Sequence, residues 1–178
     1  MKKAIVLLSG GLDSATCLYW TKRQGYRPHC LIFDYGQRHR RELHNAAAVA
    51  KSARAEYQVV RFTLPWGGSS LTDRKIRLLK DRKISKMSSG AIPSTYVPAR
   101  NTVFLSLALS YADAVHAGAI VIGANAVDFS GYPDCRPKFI RAMQSVAIAG
   151  TRMGSGGNKI KILAPLIKLS NKQIVQTG

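Results

Sequence analysis

Acidic side chains are scarce: nine Asp and Glu stand against 27 Lys and Arg, a formal net charge of +18 at pH 7. A nucleotide needs only a few positive groups, so the surplus would also attract RNA or the phosphates of a partner, although a solvated basic face explains it equally well. Cysteine is scarce too. Cys17, Cys30 and Cys135 lie far apart and no two form a C-x-x-C pair, which excludes a zinc ribbon or dithiol redox site on these residues and suits a reducing cytoplasm. Cys17 and Cys30 read as small buried thiols in a helix and a strand. Long apolar runs are missing as well. The stretch from Val103 to Val127 is broken by Asp113, His116, Asn125 and several glycines, and Lys2 and Lys3 precede only Ala4 to Leu8. Neither a membrane span nor a signal peptide is expected. With 46% apolar residues over 178 positions, the chain reads as one globular domain, 1–178.

Two familiar phosphate motifs are also absent. A Walker loop requires a lysine before its Ser or Thr, and the dinucleotide fingerprint requires a third glycine; the segment Ser9-Gly10-Gly11-Leu12-Asp13-Ser14 has neither. It nevertheless follows the apolar strand Ala4 to Leu8 and opens a helix, about Ser14 to Gln24, that stops at Gly25. Paired glycines permit close backbone approach to an anion. Asp13 and Ser14 are favoured helix caps, and the helix dipole adds to the attraction. The segment therefore reads as a phosphate cradle, with Leu8, Ser9, Gly10, Gly11, Leu12, Asp13, Ser14, Ala15 and Thr16 as nucleotide-binding candidates.

Strand and helix then alternate: strand Cys30 to Phe33, helix Glu42 to Arg54, strand Tyr57 to Phe62. After a polar, basic segment from Leu64 to Asn101 come a helix from Thr102 to Ala117, strand Ala119 to Ile122, loop Asn125 to Arg136 and helix Pro137 to Ala149. A glycine-rich break, Gly154 to Gly157, leads to strand Ile160 to Ala164, and Ser170 caps a last helix. This order predicts a doubly wound α/β domain with a parallel sheet, whose ligands bind beyond the carboxyl ends of the strands.

The Ser9 to Ser14 segment resembles the S-G-G-x-D-S signature of the PP-loop ATP pyrophosphatases (adenine nucleotide alpha hydrolase-like). Three more segments narrow the resemblance: Asp34-Tyr35-Gly36-Gln37-Arg38-His39, Ile92-Pro93-Ser94-Thr95-Tyr96-Val97-Pro98-Ala99-Arg100-Asn101, and Asp128-Phe129-Ser130-Gly131-Tyr132-Pro133-Asp134-Cys135-Arg136. Together they resemble the 7-cyano-7-deazaguanine synthase family from about Ala4 to Val175. The resemblance implies a ligase that converts 7-carboxy-7-deazaguanine, ammonia and ATP, with Mg²⁺, into the nitrile precursor of queuosine and archaeosine. It implies Asp34, Tyr35 and Gln37 beside the adenosine. The deazaguanine ring asks for a carboxylate on its N–H edge and an aromatic face, which Asp128 or Asp134 with Phe129 or Tyr132, beside Ser130, would supply. Arg100 and Arg136 would clamp the substrate carboxylate or activated phosphate. For Asp134 a helix cap at Pro137 is the alternative, and for Tyr132 a turn.

The family also implies homodimers and a four-cysteine zinc site in a C-terminal segment that these residues do not include, so zinc is expected for the family and its ligands are not expected here. The chain is then expected to be truncated, a fragment or a shortened form. Loss of the zinc segment should leave Ile174 and Val175 on exposed apolar surface, with lower stability and slow turnover or none. Nucleic acid is not required by this chemistry. A PP-loop tRNA-modifying enzyme, or a nucleotide-binding relative without turnover, are the competing expectations.

Overall fold

The computed structural model describes residues 1–37, 41–65, 69, 96–126 and 132–177. Five strands form one parallel sheet: β1 (Lys3–Leu7), β2 (Arg27–Asp34), β3 (Glu56–Arg61), β4 (Ala119–Val121) and β5 (Lys161–Leu163), in the spatial order β3-β2-β1-β4-β5. The helices are α1 (Leu12–Arg23), α2 (Arg41–Ser52), α3 (Arg100–Ala114), α4 (Pro137–Ala149), α5 (Arg152–Ser155) and α6 (Asn171–Thr177). The doubly wound domain expected from the sequence is the one observed.

Strand side chains alternate between faces, and both faces of β1, β2 and β4 are covered, while the edge strand β3 is largely exposed. Ile5, Leu7, Leu31, Phe33, Ile120 and Ile162 pack with Leu105, Leu109 and Met143 on the side of α3 and α4. Val6, Leu8, Cys30, Ile32 and Val121 pack with Cys17, Leu18, Ala46 and Ala50 on the side of α1 and α2. Two-sided burial is why these strands read as continuous apolar runs rather than alternating ones. Each fully buried Ile or Leu contributes about 1.5–3 kcal/mol of transfer free energy.

Several boundaries differ from the sequence reading, each for a local reason. Helix α1 starts at Leu12 rather than Ser14, with Gly11 as its cap residue and no side-chain cap. The Ser14 hydroxyl is turned back into the glycine loop instead. Strand β2 starts three residues early, at Arg27, because the Lys2 carbonyl accepts from Arg27 N at 2.9 Å and extends the ladder through Pro28. The glycine-rich break contains α5, started by Thr151, whose hydroxyl accepts from Gly154 N at 2.9 Å. Ser170 and Gln173 form a reciprocal cap on α6, with Ser170 N donating to Gln173 Oε1 at 2.9 Å. The expectation of a bare apolar face on α6 holds for Val175, which is 61% exposed, and fails for Ile174, which is fully buried in the cluster that also holds Leu18 and Leu166. Among the described residues no helix is long and apolar enough to cross a membrane. Most of the basic run Arg38 to Arg41 and all of Arg74 to Lys86 lie outside the described residues.

Asp113, near the end of α3, caps α5 from a distance by accepting from Met153 N at 2.9 Å and Arg152 N at 3.1 Å. The Met153 N–H bond, followed by that of Arg152, holds its carboxyl below the ordinary 3.8. A carboxyl whose folded pKa is depressed contributes stability above its unfolded pKa and loses it as pH falls through the folded value. Asp113→Ala should therefore lower the melting temperature at neutral pH, and the gap to the unsubstituted chain should narrow as pH is taken down past the ordinary 3.8 and through the depressed folded value. Melting curves across that range make the check; a gap independent of pH would assign the effect to packing.

Candidate functional site

The strand order reverses between β1 and β4, because the chain winds outward through β2 and β3 and then returns to the other side of β1. A crevice opens at such a reversal, beyond the carboxyl ends of the strands. Here it is a cavity of about 420 Å³ whose walls include Ser9, Gly11, Leu12, Asp13 and Ser14 from the glycine loop, Tyr35 and Gln37 after β2, Arg100 and Phe104 from α3, and Gly123 and Asn125 after β4.

The loop is held by one hydroxyl. Ser14 Oγ accepts from Ser9 N at 3.2 Å and from Ser9 Oγ at 3.1 Å, and donates to Gly11 O at 3.0 Å. That fills the capacity of a serine hydroxyl, one donor and two acceptors. The first turn of α1, Leu12, Asp13 and Ser14, lines the cavity, and the start of a helix is where the dipole favours an anion. The two glycines serve different ends. At Gly10 φ is +84°, and a Cβ would stand 2.6 Å from Ala46 N and Glu42 O, so this glycine lets the loop pack on the backbone of α2. At Gly11 a Cβ would meet nothing closer than Ser9 Oγ at 3.7 Å. Gly123 brings the end of β4 against α1: a Cβ there would lie 3.2 Å from Asp13 C and Ser14 N.

The opposite wall is aromatic and cationic. Phe33 stacks on Phe104 with centroids 4.2 Å apart, and Tyr35 meets Phe104 edge-on at 5.3 Å. Gln37 folds back on the strand end, its Oε1 accepting from Tyr35 N at 2.9 Å and its Nε2 donating to Phe33 O at 3.1 Å. Arg100 donates to the Tyr35 hydroxyl at 3.2 Å and lies over Phe104, 5.9 Å from the ring centroid. Burial alone would lower the pKa of this guanidinium, but Tyr35 and the nearby Asp134 and Cys135 outweigh it and raise the value, so the charge is permanent.

The cavity thus gathers Leu8, Ser9, Gly11, Leu12, Asp13, Ser14, Tyr35, Gln37, Arg100 and Tyr132 of the expected residues. Gly10 supports the loop from behind. Ala15 N closes the first bond of α1 on Gly11 O at 3.1 Å, and Thr16 is buried beneath it, so both belong to the helix rather than to the wall. Asp34 faces Arg61 at 3.9 Å and is not on the wall. Arg136 is exposed at the start of α4, likewise off the wall. Asp134 is buried, and its Oδ2 accepts from Asn101 N at 3.0 Å, so it caps α3 rather than the helix at Pro137. Asp128, Phe129 and Ser130 lie outside the described residues. The sequence reading gave no role to Asn101, Phe104, Gly123 or Asn125, all on the wall. Asn101 alone stood in a quoted segment; the other three became visible only when topology brought the ends of β1, β2 and β4 together.

Among the described residues no three His, Cys, Asp or Glu side chains gather as metal ligands. The cysteines are buried separately, and burial pushes the thiols of Cys17 and Cys30 up to about 12 and that of Cys135 to about 11.

The family described as Queuosine biosynthesis protein QueC matches residues 3–178. The chain is 56% identical over 178 residues to a 7-cyano-7-deazaguanine synthase from Nostoc punctiforme, covering 99% of this chain and 79% of that protein. It is also 56% identical to one from Trichormus variabilis, covering 99% and 78%. Among solved structures, an NH3-dependent NAD synthetase from Campylobacter jejuni superposes with a TM-score of 0.52 at 16% identity, covering 98% of this chain and 62% of that one. The last shows a shared fold.

The two loop glycines should separate by experiment. Gly10→Ala should destabilise the chain by at least about 1–2 kcal/mol, the cost of left-handed backbone for an L-residue, with the overlap on α2 added. Gly11→Ala should leave the melting temperature nearly unchanged and weaken ATP binding, because its methyl meets only the edge of the loop. Thermal melts paired with calorimetric ATP titrations test both, and equal destabilisation by the two variants would contradict the geometry.

Proposed function

The chain belongs to the QueC family of queuosine biosynthesis proteins, and on that footing we propose that it is an ATP-dependent carbon–nitrogen ligase that turns 7-carboxy-7-deazaguanine and ammonia into 7-cyano-7-deazaguanine. The observation that carries this reading is the single cavity in which a helix N-terminus with its Ser-Gly-Gly loop faces Arg100 and Tyr35 across the switch point. One side suits a polyphosphate, the other an anionic flat ring.

The chemistry explains the need for both. A carboxylate is a poor electrophile, so one of its oxygens must first be made a leaving group. Attack by the carboxylate oxygen on the α-phosphorus of ATP releases pyrophosphate and forms a mixed anhydride; ammonia then displaces AMP and leaves the amide. A second ATP activates the amide oxygen in the same way, and loss of AMP and two protons gives the nitrile. Each passage builds negative charge on phosphate oxygens, which the backbone N–H groups of the loop and the start of α1 are placed to receive. Arg100 supplies a fork of donors in a partly enclosed site, held in its rotamer by Tyr35 and Phe104. Asp13 on the cavity wall fits a Mg²⁺ whose other ligands are phosphate oxygens and water, the usual way that ion is held; bound there, it would neutralise charge on the departing pyrophosphate. Tyr132, paired with Tyr96 at 5.9 Å and an interplanar angle of 29°, offers the substrate ring an aromatic face.

The test is the reaction itself. Mass spectrometry of the chain with 7-carboxy-7-deazaguanine, ATP, Mg²⁺ and ammonium should show amide and then nitrile, with about two AMP formed per nitrile, as two oxygen activations require. Arg100→Met should keep the fold and lower kcat by about 100-fold or more, the usual cost of removing one preorganised donor at developing charge. Absence of nitrile from the unsubstituted chain, or full activity in Arg100→Met, would overturn the assignment.

A further inference from the structure

Helix α3 begins without a cap of its own. The residue before it, Ala99, has left-handed backbone (φ +50°) and no polar side chain to offer, although helix starts favour Ser, Thr, Asp or Asn there. The missing acceptor comes from 33 residues away. Asp134 Oδ2, in the 3-10 turn Pro133–Cys135, accepts from Asn101 N at 3.0 Å. The Asn101 side chain answers in the other direction, with Nδ2 donating to Asp134 O at 3.0 Å and reaching Cys135 Sγ at 3.3 Å. Both partners are buried. A carboxylate on the first-turn N–H of a helix is a charge-assisted bond favoured by the dipole, and one amide here uses both of its N–H directions on one turn.

We propose that Asn101 is a positioning residue: by latching the Asp134–Cys135 turn to the first turn of α3, it fixes Tyr132 and Arg100 relative to each other across the cavity. Arg100 is its neighbour in the chain and is tied in turn to Tyr35 at the end of β2. Tyr132 precedes the latched turn and lines the same wall. The latch therefore sets the distance between the aromatic face offered to the ring and the cation offered to its carboxylate, and the Asp134 carboxylate serves α3 rather than the ring N–H edge. This rests on the reaction proposed above.

The variants separate a latch from substrate recognition. Asp134→Asn keeps an oxygen for Asn101 N and removes the charge, whereas Asp134→Ala removes the acceptor of Asn101 N and Asn101→Ala removes the donor to Asp134 O and Cys135 Sγ, so each loosens the latch from one side. The expected result is a KM for 7-carboxy-7-deazaguanine within about threefold of the unsubstituted value in Asp134→Asn, and raised about tenfold or more in both alanine variants. The ATP dissociation constant should stay unchanged in all three. The double alanine variant, which removes all three bonds, should be worse than either single one. Amide hydrogen exchange of residues 132–136 reads the latch without any substrate, and it should speed up in the alanine variants only. A tenfold KM loss in Asp134→Asn would show that the carboxylate reads the ring. Unchanged KM or unchanged exchange in Asn101→Ala would overturn the latch, whereas normal exchange differences in a chain that makes no nitrile would overturn the reaction instead.

Discussion

The site depends on the position of β1 between β2 and β4. As the inner strand of a fully parallel sheet it must be apolar on both sides, and Ala4, Ile5 and Val6 are completely buried. The chain therefore cannot turn until it passes the sheet edge, and it does so at Ser9, where polar atoms first become affordable. The loop that results has α2 behind it and β4 beside it, at contacts that leave no room for a side chain at Gly10 or Gly123. The glycines are consequences of crowding as much as of anion binding.

Opposite the loop, the wall is built around one permanently charged group. A half-buried guanidinium needs partners, and Arg100 finds the Tyr35 hydroxyl and the face of Phe104. The tyrosine is itself set by Gln37, which closes the end of β2 by bonding at both ends of its amide. Strand β2 and helix α3 are thus coupled through two side chains, at the place where a nucleotide and an anionic substrate would meet.

Four acids of the described residues are tied into the structure. Among the described residues, Asp113 and Asp134 accept from backbone N–H groups at the starts of α5 and α3, and Glu56 and Asp34 pair with Arg27 and Arg61. With 27 Lys and Arg against nine Asp and Glu, a large positive surplus remains whatever pairs form. That imbalance governs association and solubility rather than fold.

The strand and helix order, the parallel sheet, the glycine loop and the family were legible in the chain, because two-sided burial imposes long apolar runs and because a phosphate loop must sit between a strand and a helix. Ser9 and Gly11 were expected from that loop, Tyr35 and Arg100 from the family resemblance, and all four line the cavity. What the chain alone left open was which polar groups face one another. Ser14 was expected as a helix cap and instead ties the loop together, and Asp134 was expected on the substrate or on its own helix and instead caps α3. A hydroxyl or carboxylate can satisfy several partners of equal chemistry. Sequence fixes its capacity to bond, and only packing at long range, here β1 against β4 and the Pro133–Cys135 turn against α3, decides which partner lies within reach.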